Sequence, residues 1–84
     1  MPNWTLVVAS PARRDLGKLP DRDRKRILQA LDALQADPFS GDITRLQPPA
    51  WRRRSGSYRI FFDLLLEEHL IVVTAIRRRT STTY

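Results

Sequence analysis

The chain has 84 residues and no cysteine, so one small core is expected, and disulfides, thiolate nucleophiles and cysteine-based zinc sites are excluded. Hydrophobic residues make up 42% and aromatic residues 8%, the balance of a folded globular chain rather than a disordered one. Fifteen basic against nine acidic side chains give a net charge of +6, which points to polyanionic partners.

The N-terminal stretch Asn3–Ala9, "NWTLVVA", is rich in β-branched residues and reads as a strand. It lacks the basic start and apolar length of a signal peptide, and no apolar run approaches the roughly 20 residues of a membrane helix. The expected location is therefore the cytoplasm, with no membrane partner. Ser10 reads as an N-cap with Pro11 at the first helical position, and the short helix stops near Gly17 and Pro20. Asp21 is placed to cap a second helix, whose apolar stripe is Ile27, Leu28, Leu31 and Leu34. Asp37-Pro38 ends it.

Asp37–Ala50 holds three prolines and one glycine in fourteen residues and reads as a loop, with a weak strand near Thr44–Leu46. Trp51–Ser55 and Ser57–Leu66 flank Gly56 as a β-hairpin, and His69–Ile76 is a closing strand after a turn at Glu67-Glu68. The fold class that follows is α+β, a single domain over residues 1–84. Its order is β-α-α-β-β-β, with an antiparallel sheet packed on a helical hairpin.

The charge is concentrated in this second half. Residues 1–42 carry seven basic and six acidic groups, whereas residues 43–84 carry eight and three, and all eight are arginine. Arginine is the flat, bidentate donor suited to phosphates and to stacking on bases. Side chains alternate across a strand, so Tyr58, Ile60, Phe62, Leu64 and Leu66 share the face to be buried, leaving Arg59, Phe61 and Asp63 on the other. Pairing across the hairpin can bring Arg52 and Arg54 to the same open face as Arg59, within one residue of register. The closing strand ends in Arg77, Arg78 and Arg79. Like charges brought together in this way call for an anionic ligand. Phe61 and Tyr84 are candidate stacking platforms for unpaired bases.

The pattern Trp51, Arg52, Arg54, Gly56, Tyr58, Arg59, Ile60 follows a helical hairpin that contains "SPARRDLGKLP" and ends in "LQADPF". With the closing "VVTAIRRR" and a tyrosine near the C-terminus, it resembles the RelE/ParE superfamily of type II toxins across nearly the whole chain. The resemblance implies a toxin neutralised by a cognate antitoxin, and the basic face adds that the antitoxin's segments should be acidic and amphipathic. It also implies one of two targets. The RelE branch cuts messenger RNA in the ribosomal A site, so the ribosome and mRNA would be partners. The ParE branch poisons DNA gyrase. For the RelE-like alternative it implies a site made of Arg52, Arg54, Arg59, Arg78 (or Arg77) and Tyr84. Joined with the reading of the strand faces, this gives Arg52, Arg59, Arg78 and Tyr84 as catalytic candidates and Arg54, Phe61, Arg77 and Arg79 as substrate-binding ones. No metal and no cofactor is expected, since the lone His69 and scattered acids have no ligand spacing. Arginine cannot serve as an ordinary base, so Tyr84 is the candidate for proton transfer among these residues.

Overall fold

The computed structural model describes residues 4–78, so Arg79 and Tyr84 lie outside the described residues. Strand β1 (Thr5–Val8) leads into helices α1 (Ser10–Gly17) and α2 (Asp21–Ala36). Four strands follow: β2 (Asp42–Arg45), β3 (Ala50–Ser55), β4 (Tyr58–Leu65) and β5 (Leu70–Arg78). They form one sheet in the order β1-β5-β4-β3-β2. The fold is α+β with a helical hairpin on one face, but the sheet is mixed. Strands β2 to β5 pair antiparallel, whereas β1 lies parallel to β5. The helical hairpin carries the chain from β1 to β2 at the far edge of the sheet, so β1 meets its parallel neighbour β5 only after the chain has passed through all the other elements. The weak strand of the proline-rich loop is β2, and it starts at Asp42, two residues before the sequence suggests.

Two capping expectations are corrected. The N-cap of α1 is Ala9, in extended conformation, with Ser10 already helical and no side chain bonding the first turn. Pro20 likewise occupies the N-cap of α2, and Asp21 and Asp23 fall in its first turn, where the positive end of the helix dipole favours carboxylates. Between the helices, Arg24 donates to the carbonyl oxygen of Leu19 at 2.9 Å and to that of Leu16 at 3.4 Å. It thus braces the turn between the helices, adding a donor to the Leu16 carbonyl oxygen that the Leu19 N–H already meets at 3.2 Å.

The core lies between the helices and one sheet face. Ala12, Ile27, Ala30, Leu31 and Leu34 come down from the helices onto Tyr58, Ile60, Phe62, Leu64, Ile71, Val73 and Ile76. Leu28 is not part of this stripe; it is 44% exposed. One residue beyond Ile27 turns the helix about 100°, and Ala30 takes the inward position instead. Phe62 is fully buried at the centre of β4, while Leu28 flanks the core. In guanidinium denaturation followed by circular dichroism, Phe62→Ala should therefore cost about 3–5 kcal/mol. Leu28→Ala should stay within about 0.5 kcal/mol.

Candidate nucleic-acid interface

The β3–β4 hairpin fixes the site. Ser55 pairs with Tyr58, so the loop is the two residues Gly56 and Ser57. Gly56 has φ +58, the left-handed value that a tight hairpin needs at its first central position and that glycine adopts without strain. A two-residue loop leaves the register no freedom. Arg54 therefore stands directly opposite Arg59, and Arg52 opposite Phe61. On the next strand Arg59 pairs with Arg77 and Phe61 with Ala75. Three arginines, Arg54, Arg59 and Arg77, form a row across β3, β4 and β5, on strands about 4.8 Å apart. A second row holds Arg52, Phe61 and the small Ala75, and Asp63 begins a third between Ala50 and Val72.

Arg77 reaches this face through an irregularity in β5. Phe61 pairs with Ala75, yet Phe62 pairs with Val73, so Thr74 is an extra residue in the ladder. Its hydroxyl donates to the Phe61 carbonyl oxygen at 3.2 Å. Such a bulge shifts the alternation by one residue. Ile71 and Val73 face the core before it and Ile76 faces the core after it, so Arg77 projects from the open side.

Carboxylates stand at both ends of the row. Asp42 pairs with Arg54 across β2 and β3, and its Oδ2 lies 3.6 Å from Arg54 Nε, with both side chains largely in solvent. At the other end Asp15 Oδ2 accepts from Arg77 Nη1 at 2.8 Å and from the backbone N–H of Ile76 at 3.0 Å. The Asp15 side chain is 20% exposed. Strand β1 ends at Val8, its last pairing partner being Val73. The amide of Ile76 thus lies past the end of that ladder, and Asp15 satisfies it from α1. Neither acid carries a sequence signal for this role, because the contacts span 12 residues from Asp42 to Arg54 and 62 from Asp15 to Arg77.

The remaining arginines of the second half go elsewhere. Arg53 turns to the helix side and donates to the Ser40 carbonyl oxygen at 2.9 Å, bracing the loop after α2. Arg45 pairs with Trp51 and points to the same side. Arg78 pairs with Tyr58, on the face opposite Arg59 and Arg77. The sequence expectation that Arg77, Arg78 and Arg79 all converge on one surface therefore holds for Arg77 alone among the described residues. Tyr58 is buried, and its hydroxyl donates to Asp23 Oδ2 of α2 at 2.7 Å. That hydrogen bond raises the Tyr58 pKa above the usual 10.0; burial and the Asp23 charge add to it, while the nearby Arg78 charge opposes it.

His69 lies at the opposite end of β5 from the row, in the turn before the strand, stacked on Trp4 with ring centroids 5.0 Å apart. Among the described residues no three histidine or acidic side chains gather as a metal set. A groove of about 450 Å³ opens at that same far end, lined by Phe39, Trp51, Leu64 and Leu66 and edged by Arg45, Glu67 and Glu68. No helix among the described residues is long and apolar enough to cross a membrane.

The family described as ParE toxin of type II toxin-antitoxin system, parDE, matches residues 6–82. The chain belongs to that family. It is thus a type II toxin of the RelE/ParE superfamily, as its motifs imply. Among solved structures it is similar to the RelBE2 toxin–antitoxin complex of Mycobacterium tuberculosis, at 26% identity and a TM-score of 0.80, over 90% of this chain and 98% of that one. The archaeal RelE–RelB complex from Pyrococcus horikoshii matches at 20% identity and a TM-score of 0.84, over 98% and 100% of the two chains. The isolated Escherichia coli RelE toxin matches at 16% identity and a TM-score of 0.81, over 94% and 87%. No curated protein sequence matches.

In this toxin the tyrosine of the Tyr58-Arg59 pair is a structural anchor, tying the start of β4 to α2 immediately beside the arginine row. Tyr58→Phe should lower stability by about 1.5–3 kcal/mol near neutral pH, the range for a hydrogen bond to a charged group. The raised pKa sets the sign with pH. This contribution is fully present below pH 10.0 and is lost as pH rises through the higher folded-state value. Urea denaturation of wild type and Tyr58→Phe should accordingly converge on the alkaline side and stay separated below it.

Proposed function

We propose that this toxin is a ribosome-dependent endoribonuclease that cuts translated mRNA in the A site. The observation that carries the reading is the row of Arg54, Arg59 and Arg77 with Arg52 and Phe61 beside it. Arginines at neighbouring strand positions can grip one phosphate from several sides, and a flat ring next to them can support an unstacked base. In such a reaction the 2′-hydroxyl attacks the adjacent phosphate and the 5′-oxygen leaves. Arg52, Arg54 and Arg59 hold the phosphate and stabilise the added negative charge of the phosphorane. The resemblance to RelE-like toxins adds Arg78 or Arg77 at the end of the last strand and Tyr84 for proton transfer. The open face favours Arg77 in this role, and Arg79 would bind the substrate backbone. A site with so few titratable groups depends on the ribosome to orient the substrate, so free RNA should be a poor substrate.

The same reading gives the toxin a cytoplasmic location and a cognate antitoxin, since several of its structural neighbours are RelB–RelE complexes. The antitoxin segment is acidic and amphipathic, and it covers or displaces groups of the arginine face. A second reading has a specific observation behind it: the matching family is the ParE toxin family. A ParE-like toxin would bind and poison DNA gyrase without cutting RNA, and one fold serves both.

Primer extension on a defined messenger translated in vitro separates the two. Codon-phased cuts that appear only in translated message, and fall at least a hundredfold with Arg59→Ala, are the expected result (about 2.7 kcal/mol or more of lost transition-state stabilisation). Intact message and continuing translation, with covalent gyrase–DNA complexes in cells making the toxin, would establish the gyrase reading instead.

A further inference from the structure

The two carboxylates of the arginine row differ in how they are held, and that difference suggests a function. Asp42 is a loose partner on an exposed edge strand, 3.6 Å from Arg54. Asp15 is four-fifths buried and is fixed by the Ile76 amide, and the same oxygen grips Arg77 at 2.8 Å. Arg77 itself is 60% exposed. A guanidinium has five N–H donors, and the Asp15 contact uses Nη1 alone. The rest stay available to a ligand.

We infer that Asp15 is a positioning residue: from α1 it holds the Arg77 guanidinium at the edge of the row, so that an RNA phosphate is bound between Arg77 and Arg59. The inference rests on the reading of this face as a phosphate-binding surface. An untethered Arg77, opposite the like-charged Arg59, would be driven away from it and would sample many rotamers. Binding would then have to freeze it. The tether removes that cost in advance, at the price of one donor. Asp15 can do this without swinging, because the bond from the Ile76 amide fixes its own rotamer in the absence of any ligand. The sheet end and α1 thereby become parts of one binding surface.

The probe is a fluorescein-labelled single-stranded RNA hexanucleotide, with affinity read by anisotropy for wild type, Asp15→Asn, Asp42→Asn, Arg77→Ala and the Asp15→Asn/Arg77→Ala double variant. Asp15→Asn and Asp42→Asn remove the same unit of negative charge, so a purely electrostatic effect would tighten RNA binding in both. Positioning separates them. Asp42→Asn should tighten binding, whereas Asp15→Asn should weaken it about threefold to tenfold, the cost of immobilising one long side chain. The double variant should bind no more weakly than Arg77→Ala, because Asp15 acts through Arg77.

Melting temperature supplies the structural control. Asparagine keeps an oxygen for the Ile76 amide and should melt near wild type, while Asp15→Ala should melt lower. If Asp15→Asn does not fold, Asp15→Ser offers the amide an uncharged oxygen and is read in the same way. Tightening by Asp15→Asn, or losses that add to those of Arg77→Ala, would overturn the inference and leave the phosphate-binding face standing. Wild-type protein that binds no hexanucleotide would overturn both.

Discussion

Side chains on a pleated strand have only two directions, and the register of β3, β4 and β5 decides which direction every arginine takes. Two local devices fix it. The Gly56-Ser57 loop holds β3 against β4 with Arg54 facing Arg59, and the extra Thr74 resets β5 so that Arg77 joins them. A slip of one residue would exchange the faces of β4. Tyr58, Ile60, Phe62 and Leu64 would be carried into water and Arg59 into the core. At about 1.5–3 kcal/mol for each large apolar side chain, such a slip would cost about as much as the whole stability of a domain this small. The core therefore enforces the arginine row, although the row projects from the opposite face of the sheet.

The helical layer contributes more than cover. Asp23 of α2 receives the Tyr58 hydroxyl at the start of β4, and Asp15 of α1 takes the Ile76 amide near the end of β5. These bonds lie one residue from Arg59 and Arg77 respectively. Each satisfies a polar group that would otherwise be costly where it stands. In both, an acidic side chain from a helix meets a sheet residue whose neighbour projects from the opposite face. The alternation lets one face be anchored while the other is left open to a ligand.

Much of this is legible in the sequence. The period-2 pattern of Tyr58–Leu64 gives the buried face of β4 directly, and Gly56 gives the turn. The helical hairpin follows from its punctuation, although Leu28 belongs to the flank because an alanine, Ala30, fills the inward position. What the sequence conceals is the behaviour of β5. Its nearly unbroken apolar run, Leu70–Ile76, carries no alternation to count, so neither the bulge at Thr74 nor the choice between Arg77 and Arg78 can be read from it. The parallel placement of β1 and the roles of Asp15 and Asp42 are equally hidden, because they depend on which distant segments the sheet order brings together.

Three arginines abreast repel one another by on the order of 1 kcal/mol per neighbouring pair when solvent screens them. A small domain can carry that only because its stability comes from the other face of the same strands. Asp42 and Asp15 relieve the outer members, Arg54 and Arg77, whereas Arg59 at the centre has no carboxylate partner among the described residues. The unmet charge is thus greatest in the middle of the row, with the half-buried ring of Phe61 two residues further along β4. A phosphate placed there would gain attraction from Arg59 and reduce the repulsion across the row at once. An uncharged ligand could do neither, and a ligand with spread charge, such as an acidic protein surface, would do so less completely than a compact phosphate. That asymmetry weighs toward a nucleic-acid backbone as the natural occupant of this face.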